Sequence, residues 1–247
     1  MGADEETRCL FVLALDAINF GSGWFPLLDK RPGHSGYHTI AAGLADHATR
    51  DGLVVDDLLA MTPERIAAVV GQRPDGPVGP LMAEFARSLV LLGELLRDVA
   101  GGSATRFVAS ADRSAAELAA SLVAGHPMYE DAPDLRGRPV PLYKRAQITV
   151  ADLHHAFGGT GPGRFDDLDR LTMFADNLVP HVLRLDGVLR FDDALVDRID
   201  AGDLLAPGEP AEVEIRAVAV HAVELIVGEL RDADGGLSAM DLDGLLW

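Results

Sequence analysis

The chain has 247 residues, of which 48% are apolar, and this is enough for a globular fold that buries its core without disulfides. Its 39 acidic residues outnumber 21 basic ones, and the formal net charge of −18 repels the phosphate backbones of DNA and RNA. We therefore expect no nucleic-acid polymer as a partner.

The chain has a single cysteine, Cys9, which excludes an internal disulfide and a multi-cysteine metal site. The first residues are acidic rather than typical of a secretory signal, and no run approaches about 18 uninterrupted apolar residues. We expect a cytoplasmic protein with no membrane contact.

Apolar residues recur at helical spacing along most of the chain, and the alternating patterns of strands are scarce. The sequence therefore predicts an all-α fold. Thr62 before Pro63 marks one helix start, and Asp112 and Ser114 ahead of an alanine-rich run mark another. The predicted helices lie near 5–19, 37–50, 63–70, 79–99, 112–124, 143–157, 181–189, 192–199 and 210–231.

Clusters of glycine and proline mark loops between these helices. They fall at 21–36, 72–79, 125–141 and 158–164. Only 138–142 is expected to be extended. No loop is long enough to separate domains, so we expect a single domain over residues 1–247, with two helical lobes around a cleft as the alternative.

Three polar segments interrupt the apolar helical pattern, and the first is 15–26. Here a helix with Asp16 and Asn19 on neighbouring turns runs into a glycine-bracketed loop that carries Trp24. This pattern is typical of a pocket rim. The equally open alternative is that Asp16 pairs locally and Trp24 belongs to the core.

The second segment, Tyr143 to Gln147, opens a predicted helix. Lys144 shares a face of this helix with Ile148, Ala151 and His155, which lie four, seven and eleven residues further on. A lysine on a partly apolar face is costly to bury unless it meets a carboxylate or an anionic ligand. The alternative, which the spacing alone favours, is that its methylenes carry the ammonium group out to solvent.

The third segment is 171–180. Pro180 cannot donate a helical hydrogen bond and disfavours the α conformation at Val179, so a helix must break or begin between Asp176 and Pro180. A carboxylate at a helix end can project into a cleft. It can also be a routine cap, and the pattern alone favours the cap.

Other chemical motifs are missing from the sequence. The eight histidines are scattered without a helical H-E-x-x-H, and there is no Walker loop, no G-x-G-x-x-G after a strand and no G-x-S-x-G elbow. We expect neither a metal nor a cofactor.

The three segments, with several shorter ones, resemble in the same order the queuosine-salvage family of queuosine 5'-phosphate N-glycosylases, long carried as a domain of unknown function. The similarity covers nearly the whole chain. The matching stretches are LDAINF at 15–20, SGY at 35–37, YKRAQI at 143–148 with VAD at 150–152, TMFAD at 172–176 with VP at 179–180, EVEIR at 212–216 with VELI at 223–226, and LD at 242–243 with LW at 246–247.

This resemblance implies an all-helical fold similar to helix-hairpin-helix DNA glycosylases. It also implies an N-glycosyl hydrolase that releases queuine from queuosine 5'-monophosphate for salvage into tRNA modification, with a small nucleotide as its partner. Asp176 would be the catalytic carboxylate with Lys144 close by in the pocket, Phe174 would line the base or sugar site, and Asp243 would contact queuine.

The remaining candidates for substrate contacts are Asp16, Asn19, Trp24 and Tyr143. Family members usually have a histidine on an N-terminal helical segment and an acidic residue beyond the Leu-Trp pair, and neither has a counterpart in these 247 residues. Gly244 also stands where an aromatic residue is common. Weaker activity, another substrate and an incomplete sequence are the open explanations.

Two alternatives to the hydrolase are a non-catalytic deazapurine nucleotide-binding protein and a glycosylase for another modified nucleoside or for DNA. The acidic composition disfavours DNA, because phosphate contacts need lysine and arginine. The sequence predicts no oligomeric state.

Overall fold

A computed structural model of the chain describes residues 4–230 and 236–247. Within these ranges the fold consists of α-helices, short 3-10 turns and one small antiparallel hairpin, β1 (Asp134–Leu135) with β2 (Arg138–Pro139). The helices are α1 (Glu5–Ala17), α2 (Gly36–Arg50), α3 (Val55–Leu59), α4 (Pro63–Val70), α5 (Gly79–Ala100), α6 (Ala104–Ala109), α7 (Ala115–Gly125), α8 (Lys144–Ala156), α9 (Leu178–Leu185), α10 (Asp193–Asp200), α11 (Pro210–Leu230) and α12 (Ala239–Leu246).

The predicted all-α class is confirmed, and every predicted helix has a counterpart in the structure. Residue 231, the last of the helix predicted over 210–231, lies outside the described residues. The predicted start at 112 is wrong, because Asp112 and Arg113 have φ angles of 46° and 65°, which a right-handed helix does not accept. Ser114 is the cap instead, and its side chain accepts a hydrogen bond from the N–H of Glu117.

The prediction of an extended run over 138–142 is only partly confirmed, since β2 covers Arg138–Pro139 alone. Three helices were not predicted: α3, α6 and α12. α3 and α6 have five and six residues, which is too short for a helical repeat of apolar positions to stand out. α12 has eight residues and was missed although α4, α9 and α10, which have the same length, were predicted.

Helix α9 begins three residues earlier than predicted and contains Pro180 in its first turn. Proline is tolerated there because the first four N–H groups of a helix have no partner within it. Two of these groups, the N–H groups of Leu178 and Val179, donate to the Asp176 side chain at 2.8 and 3.0 Å. Asp176 therefore stands at a helix start, as predicted.

The apolar core has two parts. The larger is formed mainly by α1 to α8, with fully buried residues such as Leu13, Phe85 and Phe107. The smaller joins α9, α11 and α12 around Met173, Val179 and Val223. The loop 172–177 runs between the two parts and carries its polar side chains at their junction.

Close packing at Gly36 brings a further loop to this junction. A Cβ atom at Gly36 would lie 2.6 Å from Cβ and Cγ of Phe25, so only glycine lets the 3-10 turn Ser22–Leu27 rest on the start of α2. Among the described residues, no helix has the length and apolar character required to cross a membrane.

Candidate active site

A cavity of about 450 Å³ opens at the junction of the two core parts. Its wall is built from the loop after α1, the start of α2, one face of α8, the loop before α9, and α12. The lining residues are Asn19, Phe20, Ser22, Phe25, Tyr37, Lys144, Ile148, Ala151, Asp152, His155, Phe174, Asp176, Asn177, Leu178, Met240, Asp243, Gly244 and Trp247.

The face of α8 predicted from residue spacing forms one wall of this cavity. Lys144, Ile148, Ala151 and His155 all line it, because positions four, seven and eleven residues apart return to the same side of a helix. Asp152 lies on the same wall, and the sequence had indicated it only as part of the stretch VAD at 150–152. A second recess, near Val54 and Arg97, brings together none of the predicted residues.

Asp176 is 8% exposed and its two carboxylate oxygens have different surroundings. Oδ1 accepts both backbone N–H groups at the start of α9, and these bonds fix the side chain. Oδ2 lies 3.9 Å from Nζ of Lys144. Asp176 therefore caps a helix and also faces the cavity, so its geometry fits both the cap and the cleft interpretation.

Lys144 lies at the start of α8 and lines the same cavity as Asp176. Burial lowers the pKa of its ammonium group, while the carboxylates of Asp176 and Asp243 act in the opposite direction and raise it. The side chain is 29% exposed, so it does not extend freely into solvent. The prediction that this lysine meets a carboxylate is confirmed.

Asp243 connects α12 to the loop that carries Asp176. Its Oδ1 accepts the backbone N–H of Phe174 at 2.9 Å, and its own exposure is 6%. Burial raises the pKa of Asp243 to about 6; the N–H of Phe174 lowers it and the charge of Asp176 raises it further. Asp243 therefore changes its charge near pH 6, in the same cavity that Asp176 lines.

The remaining predicted residues divide into two groups. Asn19 lines the cavity, whereas Trp24 and Tyr143 do not. Trp24 packs against the larger core, which is the alternative left open for it, and Tyr143 packs there as well. Tyr143 precedes α8 in a left-handed conformation with a φ angle of 44°, so its structural position is a turn at the helix start.

Asp16 lies behind the cavity wall, fully buried on α1. Among the described residues no hydrogen bond of normal geometry reaches either of its carboxylate oxygens. Burial and the charge of Asp152 raise the pKa of Asp16, and burial raises the pKa of Asp152. This acid pair, Asp16 with Asp152, therefore binds a proton more tightly than ordinary aspartates do.

The arrangement suits a reaction that develops positive charge in its transition state. A carboxylate fixed by two backbone amides costs little reorganisation energy, and a largely buried site strengthens its field. Phe174 and Phe20 offer apolar ring surfaces to a planar ligand. Within residues 4–230 and 236–247, no three histidine, cysteine, aspartate or glutamate side chains are grouped so as to hold a metal ion.

Comparison with known proteins identifies the family. The sequence matches the family model described as queuosine salvage protein over residues 2–247. The chain belongs to the queuosine salvage protein family. The resemblance on which the site residues were selected is thereby confirmed.

Relatives of this queuosine salvage family member come from bacteria and eukaryotes, and each is named queuosine 5'-phosphate N-glycosylase/hydrolase. The protein of Sphaerobacter thermophilus is 37% identical, with 98% of this chain and 76% of the relative aligned. The protein of Mus musculus is 32% identical over 91% of this chain and 68% of its own length. That of Dictyostelium discoideum is 32% identical over 98% and 72%.

Proposed function

We propose that this chain hydrolyses the N-glycosidic bond of queuosine 5'-monophosphate and releases queuine. The reaction is the one named for its relatives. A free nucleotide matches a cavity of about 450 Å³, which lies within the usual range for small-molecule sites. The observation that carries the proposal is the Asp176 carboxylate, fixed through one oxygen and turned to the cavity with the other.

The bond between C1' of the ribose and the ring nitrogen of the base breaks through a transition state with oxocarbenium character. Asp176 Oδ2 stabilises the positive charge that develops on the sugar and orients the attacking water. That water supplies a hydroxyl group to C1' and a proton to the departing base. The products are queuine and ribose 5-phosphate.

Lys144 places its ammonium group 3.9 Å from Oδ2 of Asp176, on the side of the carboxylate that faces the cavity. Queuine is a 7-deazaguanine and lacks the N7 lone pair through which ordinary purines are protonated as leaving groups. Contacts to the rest of the base must therefore contribute. Asp243 accepts hydrogen bonds from the amine or diol of the queuine side chain, and the ring of Phe174 stacks on the base.

Replacement of Asp176 with asparagine tests this mechanism. Asparagine keeps an oxygen for the two N–H groups of α9 but loses the charge, so we expect queuine release to fall at least about a hundredfold while the thermal midpoint changes little. Chromatography of the base released from queuosine 5'-monophosphate measures the rate. Turnover near that of the wild type would exclude Asp176 from the reaction.

Asp192→Asn is the matched control. Asp192 caps α10 by accepting the N–H of Ala194 at 3.0 Å, and it is exposed and does not line the cavity. We expect full activity from this variant. If the wild type binds the nucleotide but releases no base, the protein is the non-catalytic nucleotide-binding protein instead. A base-release assay on a panel of other modified nucleosides tests the second alternative, a glycosylase with a different substrate.

A further inference from the structure

Arg216 on α11 belongs to the stretch 212–216, which resembles the queuosine-salvage family. Its guanidinium group is 14% exposed and makes three hydrogen bonds at once. Nε donates to the backbone carbonyl of Ala175 at 2.8 Å, Nη1 donates to Glu212 Oε1 at 2.9 Å, and Nη2 donates to Asp131 Oδ2 at 2.5 Å. The contact with Ala175 lies one residue before Asp176.

Asp131 connects the same guanidinium group to the start of α8. Its Oδ2 also accepts the backbone N–H of Lys144 at 3.2 Å. Its backbone carbonyl accepts the N–H groups of Leu142 and Tyr143 at 2.9 and 3.2 Å. The segment that leads into α8 is therefore bound to Asp131 through three consecutive N–H groups.

We propose that Arg216 is a positioning residue which, through Ala175 and Asp131, holds the Asp176 loop and the Lys144 helix start at their working separation. The inference rests on the proposed function, in which Asp176 stabilises the transition state with Lys144 beside it. Arg216 does not line the cavity, so it acts through these neighbours and not on the substrate.

Arginine suits this position better than lysine. Its planar guanidinium group presents donors in fixed directions and reaches a carbonyl and two carboxylates from one side chain. The side chains of Glu212 and Asp131 are 22% and 24% exposed, so the three charges are partly shielded from water, and one cation is shared by two carboxylates. A lysine keeps the charge but has no fork with which to hold two segments at once.

The charge of Arg216 also acts on Lys144. The groups that set the pKa of Lys144 are burial, which lowers it, then Asp176, which raises it, Arg216, which lowers it, and Asp243 and Asp131, which raise it. Removal of the guanidinium group takes away this charge and also the bonds that position Asp176, so its two effects on the pKa of Lys144 oppose each other. Replacement of Arg216 with lysine keeps a positive charge there, so a shift of the Lys144 pKa in that variant reports a larger distance to Asp176.

Two variants separate positioning from charge. We expect Arg216→Lys to lower kcat for queuine release at least about tenfold with KM changed less than about threefold, because small misplacements of catalytic groups affect the chemical step most. Arg216→Met should lose at least as much. The matched control is Glu214→Gln, which removes an exposed ion pair with Arg136 from the same helix and should retain full activity.

The second readout does not depend on activity. The chain has only two lysines, Lys30 and Lys144, so ¹³C labelling of the lysine side chains gives two resolved titration curves by NMR. Lys30 is exposed and serves as the internal reference. We expect the Lys144 curve to move to lower pH in Arg216→Lys, because Asp176 then lies further away while the positive charge at position 216 remains. The added third signal of this variant is recognised by its absence from the wild type.

Wild-type kcat or an unmoved Lys144 curve in a folded Arg216→Lys variant would overturn the inference. Should Arg216→Met fail to fold, Asp131→Asn replaces it, since it keeps an acceptor for Lys144 N–H but weakens the pairing with Arg216. A smaller fall in kcat is then expected, and unchanged kcat contradicts the inference. Absence of queuine release by the wild type would instead refute the proposed function.

Discussion

Asp243 is a residue of the cavity whose charge changes near pH 6. Burial raises its pKa to about 6, and the carboxylate stays in place because Phe174 N–H donates to it at 2.9 Å. The ionised form is the better acceptor for an amine or a diol, since charge-assisted hydrogen bonds are stronger than neutral ones. Substrate binding should therefore improve as Asp243 loses its proton.

The acidic limb of the pH profile tests this assignment. We expect kcat/KM for queuosine 5'-monophosphate to rise between about pH 5 and 7 with an apparent pKa near that of Asp243. In Asp243→Asn the limb should disappear and KM should increase. A limb that persists unchanged in this variant would assign the titration to another group.

The same variant has a consequence for stability with a defined sign. Because the pKa of Asp243 is raised in the folded state, its ionisation costs stability as the pH increases through the window from its ordinary value to about 6. Replacement with a neutral residue removes this cost. The thermal midpoint of Asp243→Asn relative to the wild type should therefore be higher at about pH 8 than at about pH 4.

At the scale of elements, the sequence predicts best what depends on periodicity. The long helices α5, α8 and α11 have apolar positions at helical spacing, and each predicted boundary lies within one residue of the structure where that boundary is described. Short helices are harder, because α3 has only five residues and its packing against α5 is set by distant residues. Left-handed residues such as Arg113 are likewise decided by tertiary context.

The parts of the candidate site that depend on local sequence patterns were predicted, and those that depend on distant contacts were not. One helical face places Lys144 and His155 in the cavity, and a proline marks Asp176 as the start of a helix. Two of the three partners of Arg216, Ala175 and Asp131, lie 41 and 85 residues away in the sequence, so no local pattern indicates that they meet. The pairing of Asp16 with Asp152 also joins two different helices, α1 and α8.

The junction of the 3-10 turn with α2 offers a test at the scale of elements. A methyl group at Gly36 must displace Phe25, which lines the cavity, so we expect Gly36→Ala to lower the free energy of unfolding by about 1–3 kcal/mol and to raise KM. Denaturant unfolding and steady-state kinetics measure the two effects. Gly23→Ala in the same turn is the control, because nothing lies within 4 Å of its added Cβ atom.

For the whole molecule, the excess of 39 acidic over 21 basic residues sets the kind of substrate that can approach. A polynucleotide binds through many phosphate contacts to lysine and arginine, and this surface opposes them. A mononucleotide has one phosphate group and enters a cavity of about 450 Å³ without bringing a backbone with it.

We therefore expect free queuosine 5'-monophosphate to be hydrolysed and queuosine within tRNA to be left intact. Incubation of both substrates with the enzyme at low salt, where electrostatic attraction is strongest, followed by chromatography of the free base, makes the comparison. Fluorescence anisotropy of labelled tRNA should show no saturable binding at micromolar protein. Queuine release from intact tRNA would contradict the prediction.

The wall formed by α8 limits how this cavity can change. Lys144 and His155 stand eleven residues apart on one uninterrupted helix, which corresponds to about 16 Å along its axis. Neither can move relative to the other unless the helix bends, so the span available to a ligand along this side is constant. Adaptation to a longer or shorter nucleotide is therefore expected in the loop before α9 and in α12, which face this rigid side.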